Sequence, residues 1–516
     1  MRSEELPSAK PGGPDGKTAV STIARSGGAN LMGAAISALA SFAIVILVSR
    51  MWSLEVAGSL FAVTSIFLIV LALSQLGIDQ GLVRFIAWNT ARGDGGHNRH
   101  LITRGLGVAL GTSVVMLLVG LALARPLSRL LDGDGNSEAI HSIIVVFVVA
   151  LPVAAAYELL LAITRGLAKM RPTILVDRIF RPLLQLGAVA YAGITGADSG
   201  GLALAWTAPY GVGLMCALIG LWLIRRADPG VFTSAPSINR KAISSEFWRF
   251  TIPRGFTRLA QVGLQRADIA IVVIVAGPDA GALYTAATRF LVMGQLAASA
   301  IQQVSEPQVA RLLAVQDIDG TAMVARRLTV WTVLLTWPIY LVIAVYAEFL
   351  LELLFGSAYG EGALSLQILA LAMLFATAMG PLDVLLLMAG RSSLSLINTM
   401  TALIVDVAGC LLLIPHLGIT GAAIAWAAAI LVKNVLCFIQ VKRSLGITPA
   451  SREMAVVSLT LGVLFGALPW LSHHLVSVHS SVEVGVLCAV TTGYLTLVWL
   501  RRGQLLAGRS RALPLG

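Results

Sequence analysis

The chain has 516 residues, 57% of them hydrophobic and only 12% charged, a balance that excludes an ordinary soluble domain. Its formal charge of +11 does not point to nucleic acid, because the cations sit at the ends of apolar runs, where they orient a membrane protein and meet anionic lipid headgroups. The four cysteines, Cys216, Cys410, Cys437 and Cys488, all fall within apolar runs, so they are expected to pack rather than form a secreted disulfide framework.

Residues 1–28 are polar and rich in Gly and Pro, and are expected to form a disordered cytoplasmic tail without a signal-peptide pattern. That tail carries GGPDGKT at 12–18, which superficially suggests a nucleotide-binding loop. The position that must be glycine is Pro11, and no strand precedes the segment, so phosphate binding is rejected there.

A spanning helix needs about 20 apolar residues to cross a hydrocarbon core of about 30 Å. Fourteen runs near that length follow. Spans 1 to 8 are predicted at 30–48, 57–77, 105–124, 140–163, 176–195, 201–224, 252–276 and 281–305. Spans 9 to 14 are predicted at 329–347, 363–389, 395–415, 421–441, 454–471 and 484–500. Odd-numbered loops hold only Arg50, Arg125 and Arg129 as cations, beside acids such as Asp132, Asp134, Glu348 and Glu361. Lys and Arg otherwise favour the even-numbered loops and the termini, which places both termini in the cytoplasm. One missed or invented span would scramble that alternation.

Two internal matches define the architecture. AGSLFAVTSIF from Ala57 returns as AGALYTAATRF from Ala280, and GLALAW from Gly201 returns as GAAIAW from Gly421. The offsets, 223 and 220 residues, place span 2 on span 8 and span 6 on span 12. Six spans separate the copies, an even number, so the repeats share one orientation and form two bundles about an axis along the membrane normal. The expected fold is therefore all-α and polytopic: two pseudo-symmetric six-helix lobes, with spans 13 and 14 outside the repeat. The boundaries are a tail at 1–28, a first lobe at 29–226, a cytoplasmic linker at 227–249 and a second lobe at 250–445. Spans 13 and 14 then occupy 446–502, before a cytoplasmic tail at 503–516.

Four segments carry a family likeness: SRMWSLEVAGSLFAVTSIF…LGIDQGLVRFIA (Ser49 to Ala87), RADIAIVVIVAGPDAGALYTAATRF (Arg266 to Phe290), LLFGSAYGEGA (Leu353 to Ala363) and LIPHLGITGAAIAW (Leu413 to Trp426). Together they resemble Wzx-type polysaccharide and oligosaccharide flippases of the multidrug/oligosaccharidyl-lipid/polysaccharide exporter superfamily. The fourteen-span count is similar to the lipid II flippase branch. The resemblance implies a V-shaped two-lobed fold in a bacterial cytoplasmic membrane. It also implies translocation of a polyprenyl-diphosphate-linked glycan to the outer leaflet, with membrane lipids and other polysaccharide-assembly membrane proteins as partners. The rival readings are a cation-coupled multidrug antiporter of the same superfamily, a lipid II flippase, a membrane polymerase and a non-transporting envelope-assembly scaffold.

Charges inside spans carry the functional information, because each costs about 2.5–3.5 kcal/mol at a helix centre and is expected to face the bundle interior or a wet cavity. There are eight: Glu158, Arg258, Arg266, Asp268, Arg289, Asp383, Asp406 and Lys433, seven of them in the second lobe. On span 7, Arg254, Arg258, Arg266 and Asp268 fall within an arc of roughly 160°. Arg289 on span 8 reaches the same depth as Asp268. This set reads as a ladder of guanidiniums that accepts a diphosphate, since arginine stays charged when desolvated and binds phosphate oxygens through a planar fork. The competing reading pairs Arg289 with Asp268 to hold spans 7 and 8 together.

Arg84, Arg165 and Arg171 lie on cytoplasmic loops. Arg84 matches the family's arginine after span 2, and by that resemblance guides the substrate inward. Glu158 is expected to be structural and to reach Arg165. Asp406 and Lys433 share mid-depth, where they could pair, while Asp406 and Asp383 are the candidates for coupling to an ion. His473, His474 and His479 form an interfacial loop rather than a metal site. No cofactor is expected, and no loop holds a Ser-His-Asp, paired-carboxylate or Cys-x-x-Cys arrangement.

Overall fold

The computed structural model describes residues 16–92, 96–132, 137–227 and 240–475. It is helical throughout, with no strand among the described residues. In hydrocarbon every backbone N–H and C=O must be satisfied within its own segment, which leaves these apolar runs the helix as their only open form. Among the described residues, ten helices are long and apolar enough to cross a membrane. The chain is a multi-pass membrane protein.

The first lobe comprises α1 (Gly16–Met51), α2 (Leu54–Gln75), α3 (Ile78–Arg92), α4 (Gly96–Leu131), α5 (Ser137–Gly166), a π-helical turn (Thr173–Phe180) that runs into α6 (Arg181–Ile194), and α7 (Ser199–Ala227). Ser53 caps α2, its hydroxyl accepting from the Val56 N–H at 3.4 Å. Leu76 and Gly77 end α2 in left-handed conformation, at φ 49° and 74°. The helix α1 reaches back to Gly16, into the segment expected to be an unstructured tail. Once a long apolar helix is nucleated, each added residue gains a backbone hydrogen bond. Residues 1–15 lie outside the described residues.

The second lobe comprises α8 (Arg240–Ala276), α9 (Pro278–Ala314), α10 (Ile318–Val345), the short α11 (Ala347–Phe355), a 3-10 turn (Ser357–Gly362), α12 (Ala363–Ala378), α13 (Leu382–Met388) and α14 (Ser392–Leu445). Part of the expected linker, from Arg240 on, is therefore the start of α8. Predicted span 10 is broken: Gly380 at φ 73° and then Pro381 divide it into α12 and α13. At 1.5 Å per residue the 54 residues of α14 would measure about 80 Å, far beyond one crossing. Gly418, at φ 55° and ψ −138° just after Pro415, is the non-helical point that separates spans 11 and 12. Span 13 is α15 (Arg452–Leu461), a π turn (Gly462–Ala467) and α16 (Leu468–Leu475). Span 14 and the tail at 503–516 lie outside the described residues, and with span 14 the exact count of fourteen.

Packing reproduces the repeat. Within the first lobe α4 packs on α5, α5 on α7, α1 on α6, and α2 on both α4 and α5. At the matching places of the second lobe α10 packs on α12, α12 on α14, α8 on α14, and α9 on both α10 and α12. The glycines of the first repeated motif fall at close helix contacts, Gly58 between the lobes and Gly281 within the second. A side chain at Gly58 would collide with the Pro278 carbonyl of α9, and one at Gly281 with Val273 of α8.

The lobes also meet at both ends of the bundle. At the Trp52 end, the Arg50 guanidinium of α1 donates to the Glu352, Leu353 and Leu354 carbonyls, the last at 3.0 Å, at the C-terminal end of α11 in the other lobe, where the Glu352 carbonyl also accepts from the Gly356 N–H. Beneath it Phe42 (α1), Phe290 (α9) and Phe355 (α11) stack edge to face, with centroids 5.6–6.1 Å apart. At the Gly77 end, a Cβ on Gly255 of α8 would lie 2.7 Å from the Leu76 carbonyl, so the two backbones touch. Phe85 of α3 there packs edge-on against Phe247 and Phe250 of α8, at 5.6 and 6.0 Å.

Arg50→Ala is expected to loosen the Trp52 end. Losing these hydrogen bonds costs about 1–2 kcal/mol, a 5- to 30-fold shift toward the opened state. The shift is read as faster maleimide labelling of a cysteine placed at the buried Ser49, in a background lacking the native cysteines. Unchanged labelling would mean that the clasp carries no load.

Candidate functional site

Three groups of polar residues line the interior of the bundle. The first lies in the first lobe, where local backbone chemistry sets it up. Pro182 has no N–H to donate, and the Arg181 N–H reaches back five residues to the Val176 carbonyl, so the chain takes a π register through Thr173–Phe180. Asp177 accepts a hydrogen bond from the Tyr157 hydroxyl at 3.0 Å, and the same oxygen lies 3.4 Å from Arg181 Nε. The Arg181 guanidinium lies 4.8 Å above the Tyr210 ring. Neighbouring Glu158 accepts from the Gln75 amide at 2.6 Å rather than from Arg165, because α2 brings Gln75 directly onto α5. Asp177 and Arg181 form an i,i+4 pair inside predicted span 5, a spacing visible in the sequence but not among the charges singled out there. With them the first lobe holds more intraspan charge, half-buried, than the sequence reading assigned to it.

The second group is at the Gly77 end. Arg84 of α3 stacks on Phe250 of α8 with 4.2 Å to the ring centroid, and Arg254 lies over the same ring at 5.6 Å. Arg84 is therefore not on a loop: it rides a helix that bridges the lobes. Arg258, one turn further along α8, is exposed and within electrostatic range of Glu158.

The third is a recess of about 130 Å³ between α8, α9, α12 and α14. Gln265, Arg266, Asp268, Arg289, Gln295 and Trp426 line it. Asp268, 2% exposed, accepts from the Tyr284 hydroxyl at 2.9 Å and from the Ile269 N–H at 2.8 Å. The ion pair of the competing reading, Arg289 with Asp268, does not form within 4 Å. Tyr284 occupies the carboxylate, and neither Arg266 nor Arg289 lies within 4 Å of an acidic oxygen among the described residues. Arg289 Nε is buried without a hydrogen-bond partner.

The Asp406–Lys433 pair allowed by shared depth is also replaced. Lys433 lies 3.8 Å from Asp383, which accepts from the Ser395 hydroxyl at 2.6 Å. The break at Gly380–Pro381 tips α13 against α14 and so delivers Asp383 to that lysine. Asp383 is 40% exposed, whereas Asp406 is fully buried, with one oxygen 3.9 Å from the Cys410 thiol and the other unpartnered. Asp406 lies within electrostatic range of Asp268, so a second buried carboxyl, on α14, neighbours the one on α8 that lines the recess. No group of three metal-ligating side chains occurs among the described residues. The side chains of His473 and His474 and all of His479 lie outside the described residues.

Solved structures with this fold include an inward-facing multidrug resistance MATE transporter of the MOP superfamily. It is 17% identical, with TM-score 0.65 over 80% of this chain and 95% of that one. The lipid II flippase MurJ in an inward closed conformation is 9% identical, with TM-score 0.70 over 92% and 99%. A MOP superfamily transporter from Pyrococcus furiosus, described as having a binding pocket of reverse polarity, is 16% identical with TM-score 0.58 over 82% and 95%. A search of curated proteins found no match. The model of a family described as polysaccharide biosynthesis protein matches residues 23–313, more than half of the chain, and the chain belongs to that family.

Proposed function

We propose that the protein is a flippase that carries a polyprenyl-diphosphate-linked oligosaccharide across a bacterial cytoplasmic membrane by alternating access. In this reading the Gly77 end and both termini face the cytoplasm and the Trp52 end faces out. The observation that carries it is the excess of guanidinium inside the bundle. Arg266 and Arg289 share one recess with a single carboxylate, Asp268, to which neither is directly ion-paired, at the end of a file that begins with Arg84, Arg254 and Arg258. An unpaired charge there is costly, and a diphosphate offsets that cost. Arg258 takes the diphosphate on loading and Arg266 meets it only in mid-transit, while the glycan goes ahead into the wet interior and the prenyl tail stays in lipid. Asp406, buried beside Asp268, is the group through which a proton or a monovalent cation drives the cycle.

The test compares the leaflet distribution of the lipid-linked glycan in cells carrying wild type, Arg258→Ala and Arg266→Ala at matched protein level. Each charge-assisted contact is worth about 1.5–3 kcal/mol, so either variant should slow translocation roughly 10- to 100-fold and leave the glycan on the cytoplasmic leaflet. An unchanged distribution in both would remove the arginines from the substrate path.

The Asp268–Asp406 neighbourhood favours one second reading, a cation-coupled multidrug antiporter. That reading requires Asp406→Asn to abolish export of cationic dyes, with Arg266→Ala leaving it intact.

A further inference from the structure

The recess between α8, α9, α12 and α14 lies deeper than a lipid diphosphate reaches on loading. Arg266 is eight residues beyond Arg258 on α8, about 12 Å further into the bundle. A prenyl diphosphate keeps its tail in hydrocarbon and its phosphates at headgroup level, where Arg84 and Arg254 meet at Phe250. What arrives first at the depth of Arg266 and Arg289 is the glycan. The recess nonetheless holds two guanidiniums and one carboxylate, and both oxygens of that carboxylate are already taken by Tyr284 and the Ile269 N–H. Its remaining lining suits a sugar. The Trp426 indole offers an apolar surface to a ring, and the Gln265 and Gln295 amides offer donors and acceptors to hydroxyls.

We infer that this recess is a subsite for an acidic sugar, with Arg289 holding its carboxylate and Trp426 packing on its ring. The transported glycan then carries a uronic-acid-type residue one or more rings from the diphosphate. The inference rests on the flippase reading and deepens it. The same anion chemistry could come from the diphosphate itself in mid-transit, and the experiment separates the two sources.

The full chain in lipid nanodiscs is titrated with three probes: polyprenyl diphosphate without sugar, the same lipid bearing a neutral oligosaccharide, and the same lipid bearing an oligosaccharide that contains a uronic acid. Wild type should bind the acidic probe roughly 10- to 100-fold tighter than the neutral one. Arg289→Gln should erase that preference and leave the sugar-free diphosphate unaffected, while Arg289→Lys retains part of it. Trp426→Leu should weaken both glycan probes and spare the bare diphosphate. Arg258→Gln should weaken all three alike. Equal wild-type binding of the acidic and neutral probes overturns the subsite and leaves the flippase reading standing. A loss of bare-diphosphate binding in Arg289→Gln as large as in Arg258→Gln makes the recess a phosphate site and overturns it as well. Failure of wild type to bind any probe overturns the flippase reading and the subsite together. A monodisperse elution profile for each variant separates these outcomes from misfolding.

Discussion

Gly58→Leu is expected to hold the lobes apart at the Trp52 end and stop transport, whereas Gly255→Leu should do so from the opposite end. At Gly58 the backbone of α2 lies against the first turn of α9. A Cβ would overlap the Pro278 carbonyl and stand 3.0 Å from the Ala282 nitrogen. At Gly255 a Cβ would stand 2.7 Å from the Leu76 carbonyl and 3.1 Å from the Gly77 nitrogen. In both places the obstructing atoms are backbone, which cannot rotate out of the way as a side-chain tip can. Overpacking of this kind costs about 1–3 kcal/mol or more, so each closed end should lose roughly 5- to 100-fold in population. Neither site is in the lobe interiors, so the lobes themselves should fold.

Impermeant cysteine reagents supply the measurement. In the proposed orientation Gly58→Leu raises labelling of interior cysteines from outside and lowers it from the cytoplasm, and Gly255→Leu does the reverse. Both variants lose transport, because an alternating-access cycle needs each end to close in turn. Labelling that rises from the same side in both would show that the two crossings do not act as separate gates.

Tyr284→Phe is expected to cost about 1–3 kcal/mol of stability, the penalty for removing the donor to a buried carboxylate. The Tyr284 hydroxyl is the one side-chain donor to Asp268 among the described residues, and no guanidinium stands close enough to replace it. Adding Asp268→Asn to Tyr284→Phe should restore part of the loss, since a neutral amide is cheaper to leave short of a partner than a carboxylate. Thermal unfolding in detergent of the two single variants and the double variant closes a cycle whose coupling should exceed about 0.5 kcal/mol. A coupling near zero would mean that Asp268 is satisfied by some group other than Tyr284.

The architecture was legible because membrane physics simplifies it. A bilayer admits helices of about 20 residues, and the loops that divide them are marked by clustered charge. The repeat was legible for a different reason. Gly58 and Gly281 recur 223 residues apart, and each marks a close approach with no room for a side chain: Gly58 against Pro278 of the other lobe, Gly281 against Val273 of its own. Helix breaks were partly legible. The Gly418 boundary fell between predicted spans 11 and 12, but Gly380–Pro381 inside span 10 was passed over, since apolar residues run on across it.

Side-chain partnership was not legible. Depth along a helix placed Asp406 level with Lys433 and Asp268 level with Arg289, yet depth is one coordinate of three. Lys433 went to Asp383 because α13 is tipped against α14, and Asp268 went to Tyr284 because a hydroxyl on α9 lies nearer than the guanidinium. The Asp177–Arg181 pair became part of the interior only through the π register before Pro182. By itself the sequence determined a multi-pass helical protein of two repeated lobes with cations inside the second, because hydrophobic length, loop charge and repetition are written along the chain. Only the tertiary structure decided which charges are paired and which stand open, because that depends on packing angles and angstrom-scale distances between helices that no one-dimensional pattern encodes.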